Sequence, residues 1–185
     1  MSERKEKIVL FSGRIGDRKG AFRVLEAWSE IPSDIRKGWS LILTGDGEIK
    51  KARRVVEELS ITDSTSVKGW VEDQILEGLM SKCSIFVLPS RNEGLPMSLL
   101  QAMSSRSAVI TSPVGGIPEV VKDRENGILV DPDDVGSLSQ SIRLLIEESE
   151  LRASLSSNAV NSTRSLSIET YVSKMEKIWG SLIQE

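Results

Sequence analysis

Residues 84–121, SIFVLPSRNEGLPMSLLQAMSSRSAVITSPVGGIPEVV, place one carboxylate, Glu93, on a loop after an apolar run. A helical pattern follows, then a second apolar run, then a Gly115-Gly116 turn opening a further helix. A carboxylate accepts hydrogen bonds from sugar hydroxyls. Bare glycine amides at a helix start suit an oxyanion. The order therefore fits a pocket for a ligand that carries both hydroxyls and phosphates. Upstream, Arg14 and Lys19 flank a glycine-bearing turn. They are either solvated cations, with Arg18 a third, or a clamp on a nucleotide diphosphate, Arg giving forked hydrogen bonds and Lys a point charge. Each remaining candidate also has two readings. Glu93 is a ligand or an exposed loop acid. Gly115 and Gly116 are a backbone approach site or only a turn. Glu119 is a ligand or a first-turn acid complementing the helix dipole, and Pro118 beside it is ordinary helix-start chemistry. Trp70 is a wall of a base pocket or a residue partly buried beside the sheet.

The elements that must position these residues alternate. Strands are expected over Ile8 to Phe11, Trp39 to Leu43, Ser66 to Lys68, Ile85 to Leu88, Ala108 to Thr111 and Gly127 to Val130. Apolar residues at helical spacing lie between them: Ala21, Val24, Leu25 and Trp28; Ile49, Ala52, Val56 and Leu59; Ile75, Leu76, Leu79 and Met80. Near-continuous apolar strands separated by amphipathic helices mean a parallel sheet covered on both faces. The expectation is a Rossmann-like doubly wound α/β domain, residues 1–185, of about six strands. In such sheets ligands bind outside the carboxyl ends of the strands. The loops holding Arg14, Asp46, Trp70, Glu93 and Gly115 all follow strands, so they converge on one edge. After Val130 the chain is expected to be helical to its end, with Asp133 or Asp134 capping the helix from Val135 to Glu148.

Composition excludes several classes. The 185 residues fit one domain. A net charge of −3 gives no global field for nucleic acid or anionic lipid, so local positive charge must do any phosphate work. The chain has no histidine, which removes Ser-His-Asp and Cys-His nucleophiles and the commonest zinc ligand. The lone Cys83 fits a reducing compartment and a small buried residue at a strand start. MSERKEK carries both signs of charge, and the apolar run after it is too short for a signal or a membrane span. The cytoplasm is expected. Gly45-Asp46-Gly47 lacks the third glycine of a dinucleotide fingerprint, Lys50 standing there. Gly13 to Gly20 ends Lys-Gly and is not a P-loop. Asp131 to Gly136 has Val135 and Ile142 where a calcium loop needs ligands. No Asp-x-Asp stands in a metal context, and no metal is expected.

The ordered set Gly13-Arg14, Lys19-Gly20, Thr44-Gly45-Asp46-Gly47, Gly69-Trp70-Val71, Pro89-Ser90, Glu93-Gly94, Gln101-Ala102-Met103 and Gly115-Gly116-Ile117-Pro118-Glu119 resembles the C-terminal, donor-binding half of the GT-B retaining glycosyltransferases of family 4. The resemblance covers nearly the whole chain. It implies transfer of a sugar from a nucleotide-diphosphate-sugar, UDP- or GDP-linked, to an acceptor hydroxyl with retention of configuration. It implies that Arg14 and Lys19 neutralise the departing diphosphate and that Glu93 orients the sugar. It places Gly13, Trp70, Val71, Gly94, Leu95, Gln101, Gly115, Gly116 and Ile117 around the donor. No protein nucleophile is required if the departing diphosphate takes the acceptor's proton. A nicotinamide-dependent oxidoreductase shares the sheet but fails on the fingerprint. A nucleotide-sugar epimerase shares the GT-B fold, but its histidine-bearing site is absent.

The chain departs from the family pattern in two places. The second acidic position, eight residues after Glu93, is Gln101, which turns a charge-assisted ribose contact into a neutral one and weakens it by about 1 kcal/mol. Arg106 and Ala108 stand where a glycine and then a proline are usual, pointing to a reshaped turn. These departures leave open a degenerate domain that binds nucleotide poorly or serves as a scaffold with a partner. The resemblance also implies a missing N-terminal domain that binds a glycan, lipid or small-molecule acceptor. In the full-length enzyme that would put the site in the cytoplasm or at the inner face of a membrane. Ile168, Tyr171, Val172, Met175, Ile178, Trp179, Leu182 and Ile183 give the terminal helix, about 167–185, a wide apolar face. That face is expected to pack toward the missing domain or to self-associate.

Overall fold

The computed structural model describes residues 5–164. The terminal helix expected over 167–185 lies outside them. Six strands and eight helices alternate among the described residues: β1 (Glu6–Ser12), α1 (Ala21–Glu30), α2 (Ser33–Arg36), β2 (Ser40–Thr44), α3 (Ile49–Glu58), β3 (Thr65–Gly69), α4 (Asp73–Lys82), β4 (Cys83–Leu88), α5 (Met97–Ser104), β5 (Ala108–Thr111), α6 (Ile117–Val120), β6 (Ile128–Leu129), α7 (Val135–Glu147) and α8 (Ser149–Arg164). Every strand pairing is parallel, and the sheet order is β3-β2-β1-β4-β5-β6. The fold is the expected doubly wound, Rossmann-like α/β sheet.

The central strands explain that outcome. All of Cys83–Leu88 is buried, as are Val9, Leu10 and Phe11. A strand apolar on both faces is stable only when helices cover both sides. α1 supplies one cover with Val24, Leu25 and Trp28, each fully buried. Burying each such side chain contributes about 2–3 kcal/mol. Trp28 also donates its indole N–H to Ser64 Oγ at 3.2 Å, so its polar atom is not lost on burial. Cys83 begins β4, fully buried, and its Sγ lies 3.1 Å from Ser107 Oγ. Burial pushes its thiol pKa up.

Several details differ from the sequence reading. β2 begins at Ser40, and Trp39 lies just before it, buried under the Arg152 guanidinium 5.2 Å from its ring centroid. β6 is two residues long. The helical stretch after Val130 is broken at Glu148, where Arg152 donates to the carbonyls of Leu145 and Ile146 and so satisfies the last turn of α7. Asp134, not Asp133, caps α7, accepting from the Ser137 amide at 2.8 Å. The turn after α5, where Arg106 and Ala108 depart from the family pattern, closes as follows. Ser107 N bonds Ala102 O at 3.0 Å and Arg106 N bonds Met103 O at 3.2 Å, with Arg106 at φ 62. That is a Schellman close with arginine in the left-handed position where glycine is favoured.

Candidate functional site

The strand order reverses between β1 and β4: the chain moves outward from β1 through β2 to β3, then returns to β4 on the other side. At such a reversal the connections after the two strands leave on opposite faces and open a crevice at the carboxyl edge. The loop after β1 carries Gly13, Arg14 and Lys19, and the loop after β4 carries Glu93, Gly94 and Leu95. Topology alone therefore brings the two main candidate groups together.

The loops are laced to one another by backbone hydrogen bonds. Gly13 N bonds Thr44 O at 3.1 Å, Ile15 N bonds Asp46 O at 2.6 Å and Glu48 N bonds Ile15 O at 2.8 Å, joining the loops after β1 and β2. Gly45 N bonds Gly69 O at 2.8 Å and adds the end of β3, from which the Trp70 loop leaves. Arg91 N bonds Arg18 O at 2.9 Å, and Gly116 N bonds Gly94 O at 2.7 Å, adding the loops after β4 and β5. Two glycines make the close approaches possible. At Gly45 (φ 135) a Cβ would overlap the Gly13 carbonyl oxygen, and at Gly115 (φ 57) it would overlap that of Glu93. All five loops named from the sequence thus form one connected edge.

Within this edge the charges are paired. Lys19 Nζ lies 2.6 Å from both Oε1 and Oε2 of Glu93, with side chains 18% and 6% exposed. Ser90 Oγ donates to Glu93 Oε1 at 2.7 Å. A carboxylate has about four acceptor positions, so Glu93 keeps capacity for a ligand hydroxyl. Arg14 is exposed and pairs with the exposed Asp46, Nη1 to Oδ2 at 3.2 Å. Arg14, Lys19, Gly16, Asp17, Gly47 and Glu48 line a cleft of ≈ 450 Å³. An anion entering it would meet three cations, since Arg18 lines it too, and could replace Asp46 beside Arg14 at little cost because that pair is solvated.

A second charge cluster, which the sequence reading missed, braces this cleft. Buried Arg23 on α1 donates to Asp17 Oδ1 at 2.8 Å, to the Asp17 carbonyl at 2.9 Å and to the Pro89 carbonyl at 3.1 Å. Arg91 pairs with Asp17 and, at 2.7 Å, with Asp133. The cluster ties the Lys19 turn to the start of the Glu93 loop. The one signal in the sequence was an arginine beside the buried stripe of α1. Pairing across 66 residues leaves no local trace.

The remaining candidates are placed as follows. Trp70 is 70% exposed rather than partly buried, and Val71 beside it is half-buried. Leu95 is exposed. Ile117 is buried, and its amide bonds Val114 O at 3.2 Å, so with the Gly116 amide also used, Gly115 holds the amide of this turn that makes no hydrogen bond among the described residues. Gln101 is exposed on α5 and lines a separate groove toward α4, not the Arg14 and Lys19 cleft. Among the described residues no group of three or more Cys, Asp or Glu side chains is placed to hold a metal ion. No helix among them is long and apolar enough to cross a membrane.

The arrangement can bind an anion between the Arg14 and Lys19 heads and hold a hydroxyl at Glu93. Known proteins resemble this chain. Residues 2–162 match the model of the glycosyl transferases group 1 family. An uncharacterised glycosyltransferase of Methanocaldococcus jannaschii is 30% identical over 94% of this chain and 48% of its own length. A Campylobacter jejuni α-1,4-N-acetyl-D-galactosaminyltransferase that acts on an undecaprenol-diphosphate-linked glycan is 27% identical over 98% of this chain and 49% of its own. The chain thus spans about half the length of these curated relatives. Among solved structures, Anabaena HepE in complex with UDP superposes with a TM-score of 0.83 at 22% identity, over 96% of this chain and 49% of that one. The C-terminal domain of a group 1 family glycosyl transferase, LpcC from Francisella tularensis, superposes with a TM-score of 0.78 at 23% identity, over 88% and 87%. The sheet is the Rossmann-like domain of GT-B glycosyltransferases, and the chain belongs to the glycosyl transferases group 1 family.

Proposed function

We propose that this chain is the donor-binding, C-terminal half of a retaining glycosyltransferase of family 4 type, and that it binds a UDP- or GDP-linked sugar without a metal ion. The observation that carries the reading is the half-buried Lys19 and Glu93 pair at the strand-order reversal, with Arg14 lining the adjoining cleft. A diphosphate in the cleft draws Lys19 Nζ and the Arg14 guanidinium toward itself, which frees Glu93 to accept from sugar hydroxyls. Gly94, Leu95 and the Gly115 amide lie beside that position, and Trp70 and Val71 offer an apolar surface to the base.

In the reaction, the bond from the sugar's anomeric carbon to the diphosphate oxygen breaks. The acceptor oxygen forms its bond on the same face, and the acceptor proton passes to the departing phosphate oxygen. Arg14 and Lys19 stabilise the negative charge that grows on the leaving group. A glycan, lipid or small-molecule acceptor binds on an N-terminal domain outside this chain, and transfer requires both halves. The second reading, a degenerate domain that works only as a partner's scaffold, is favoured by Gln101.

Calorimetric titration with UDP, GDP, ADP and dTDP tests the choice. Saturable binding of one of them, weakened strongly by Arg14→Ala, supports the donor site. No binding of any of the four supports the scaffold.

A further inference from the structure

Gln101 faces a groove of ≈ 330 Å³ between α4 and α5, and the groove's other wall begins with Asp73. Leu76, Glu77, Met80 and Ser104 also line it. The side chains of Asp73 and Gln101 make no hydrogen bond among the described residues. Both helices follow parallel strands, so both start at the carboxyl edge of the sheet, where ligands bind, and run away from it. Asp73 is the first residue of α4, three residues after the exposed Trp70. Glu77 lies one turn further from the edge, about 6 Å along the helix axis. Asp73 is therefore the carboxylate of this groove nearest the ligand edge, and it shares the groove with the amide that stands where the family has an acid.

We propose that Asp73 supplies the ribose-binding carboxylate that Gln101 lacks. A carboxylate can accept from both hydroxyls of a ribose diol, whereas the Gln101 amide offers one acceptor and one donor group. Doubly wound nucleotide-binding folds hold ribose hydroxyls in this way, with one acidic side chain near the carboxyl edge. Here the acid comes from the start of α4, beside the loop that meets the base, and Gln101 complements it from α5. The loss of charge at 101 then marks a relocated contact and not a decayed site. The inference rests on the donor-site reading.

The test compares UDP and GDP with their 2′-deoxy and 3′-deoxy forms, titrated into wild type, Asp73→Asn, Asp73→Glu and the Asp73→Asn/Gln101→Glu double variant. Wild type is expected to prefer the ribonucleotide by about tenfold, the worth of a hydrogen bond to a charged group. Asp73→Asn should erase most of that preference, Asp73→Glu should keep it, and the double variant should regain it. An unchanged preference in Asp73→Asn, or equal binding of ribo and deoxy forms by wild type, overturns the role of Asp73 and leaves the donor site standing. Failure of wild type to bind any of these nucleotides overturns the donor-site reading and the role of Asp73 with it.

Discussion

Lys19 and Glu93, 74 residues apart in the chain, meet with the ammonium nitrogen 2.6 Å from each carboxylate oxygen, and the Glu93 side chain is 6% exposed. Removing one partner of a pair this enclosed leaves the other charge without its counter-ion. Lys19→Met is expected to cost about 3 kcal/mol of stability. Adding Glu93→Gln to it should recover part of that loss, because the orphaned charge is gone. Urea denaturation of the two variants checks the non-additivity. Additive losses would mean that the two side chains do not depend on each other.

Gly115 sits where a Cβ would overlap the Glu93 carbonyl oxygen, at a φ of 57 that side chains also resist. Gly115→Ala should therefore push the loop after β5 away from the Glu93 loop. The expected outcome is a folded chain, by circular dichroism, with at least tenfold weaker nucleotide binding, since the loops rather than the core move. Unchanged affinity would show that the approach of these loops is not part of the site.

Arg106 occupies a left-handed close at φ 62 with both Schellman hydrogen bonds in place. Arg106→Gly should stabilise the chain by about 1 kcal/mol, the cost of a side chain in that conformation less the entropy of glycine. A raised thermal midpoint checks it.

Burial raises the pKa of the Cys83 thiol in the folded chain. The folded state therefore holds the proton at a pH where the unfolded thiol, near pH 8.5, has begun to lose it. Its contribution is fully present below that pH and is lost as pH rises through the folded pKa. The stability difference between wild type and Cys83→Ala should shrink in wild type's disfavour above about pH 8.5, as followed by urea midpoints from pH 7 upward. In the native state the thiol should also resist alkylation.

Much of this arrangement was legible in the residues. Ile85 to Leu88 and Ala108 to Thr111 read as strands because buried parallel strands are apolar on both faces, and they form β4 and β5. The five loops could be named because in a parallel sheet every strand ends at the same edge. What could not be read were pairings between side chains distant in sequence. Arg91 joins Asp17 and Asp133, and so the Arg23 pair, through contacts between residues far apart in the chain. Nor does the sequence show that Arg106 takes a left-handed φ of 62, since a non-glycine residue in that region carries no local signature. The exposure of Trp70 was equally hidden, since a tryptophan beside a strand carries no sign of which way its loop turns.

The central claim is that the cleft at Arg14 and Lys19 recognises a diphosphate. The most direct measurement is the affinity of wild type and Arg14→Ala for UDP and UMP, and for GDP and GMP, by calorimetry. Arg14 is exposed, so its removal should change stability by less than about 1 kcal/mol. Wild type should bind one diphosphate at least tenfold more tightly than its monophosphate, and Arg14→Ala should lose most of that preference. Equal binding of diphosphate and monophosphate by wild type, or a preference that survives Arg14→Ala intact, would contradict the claim.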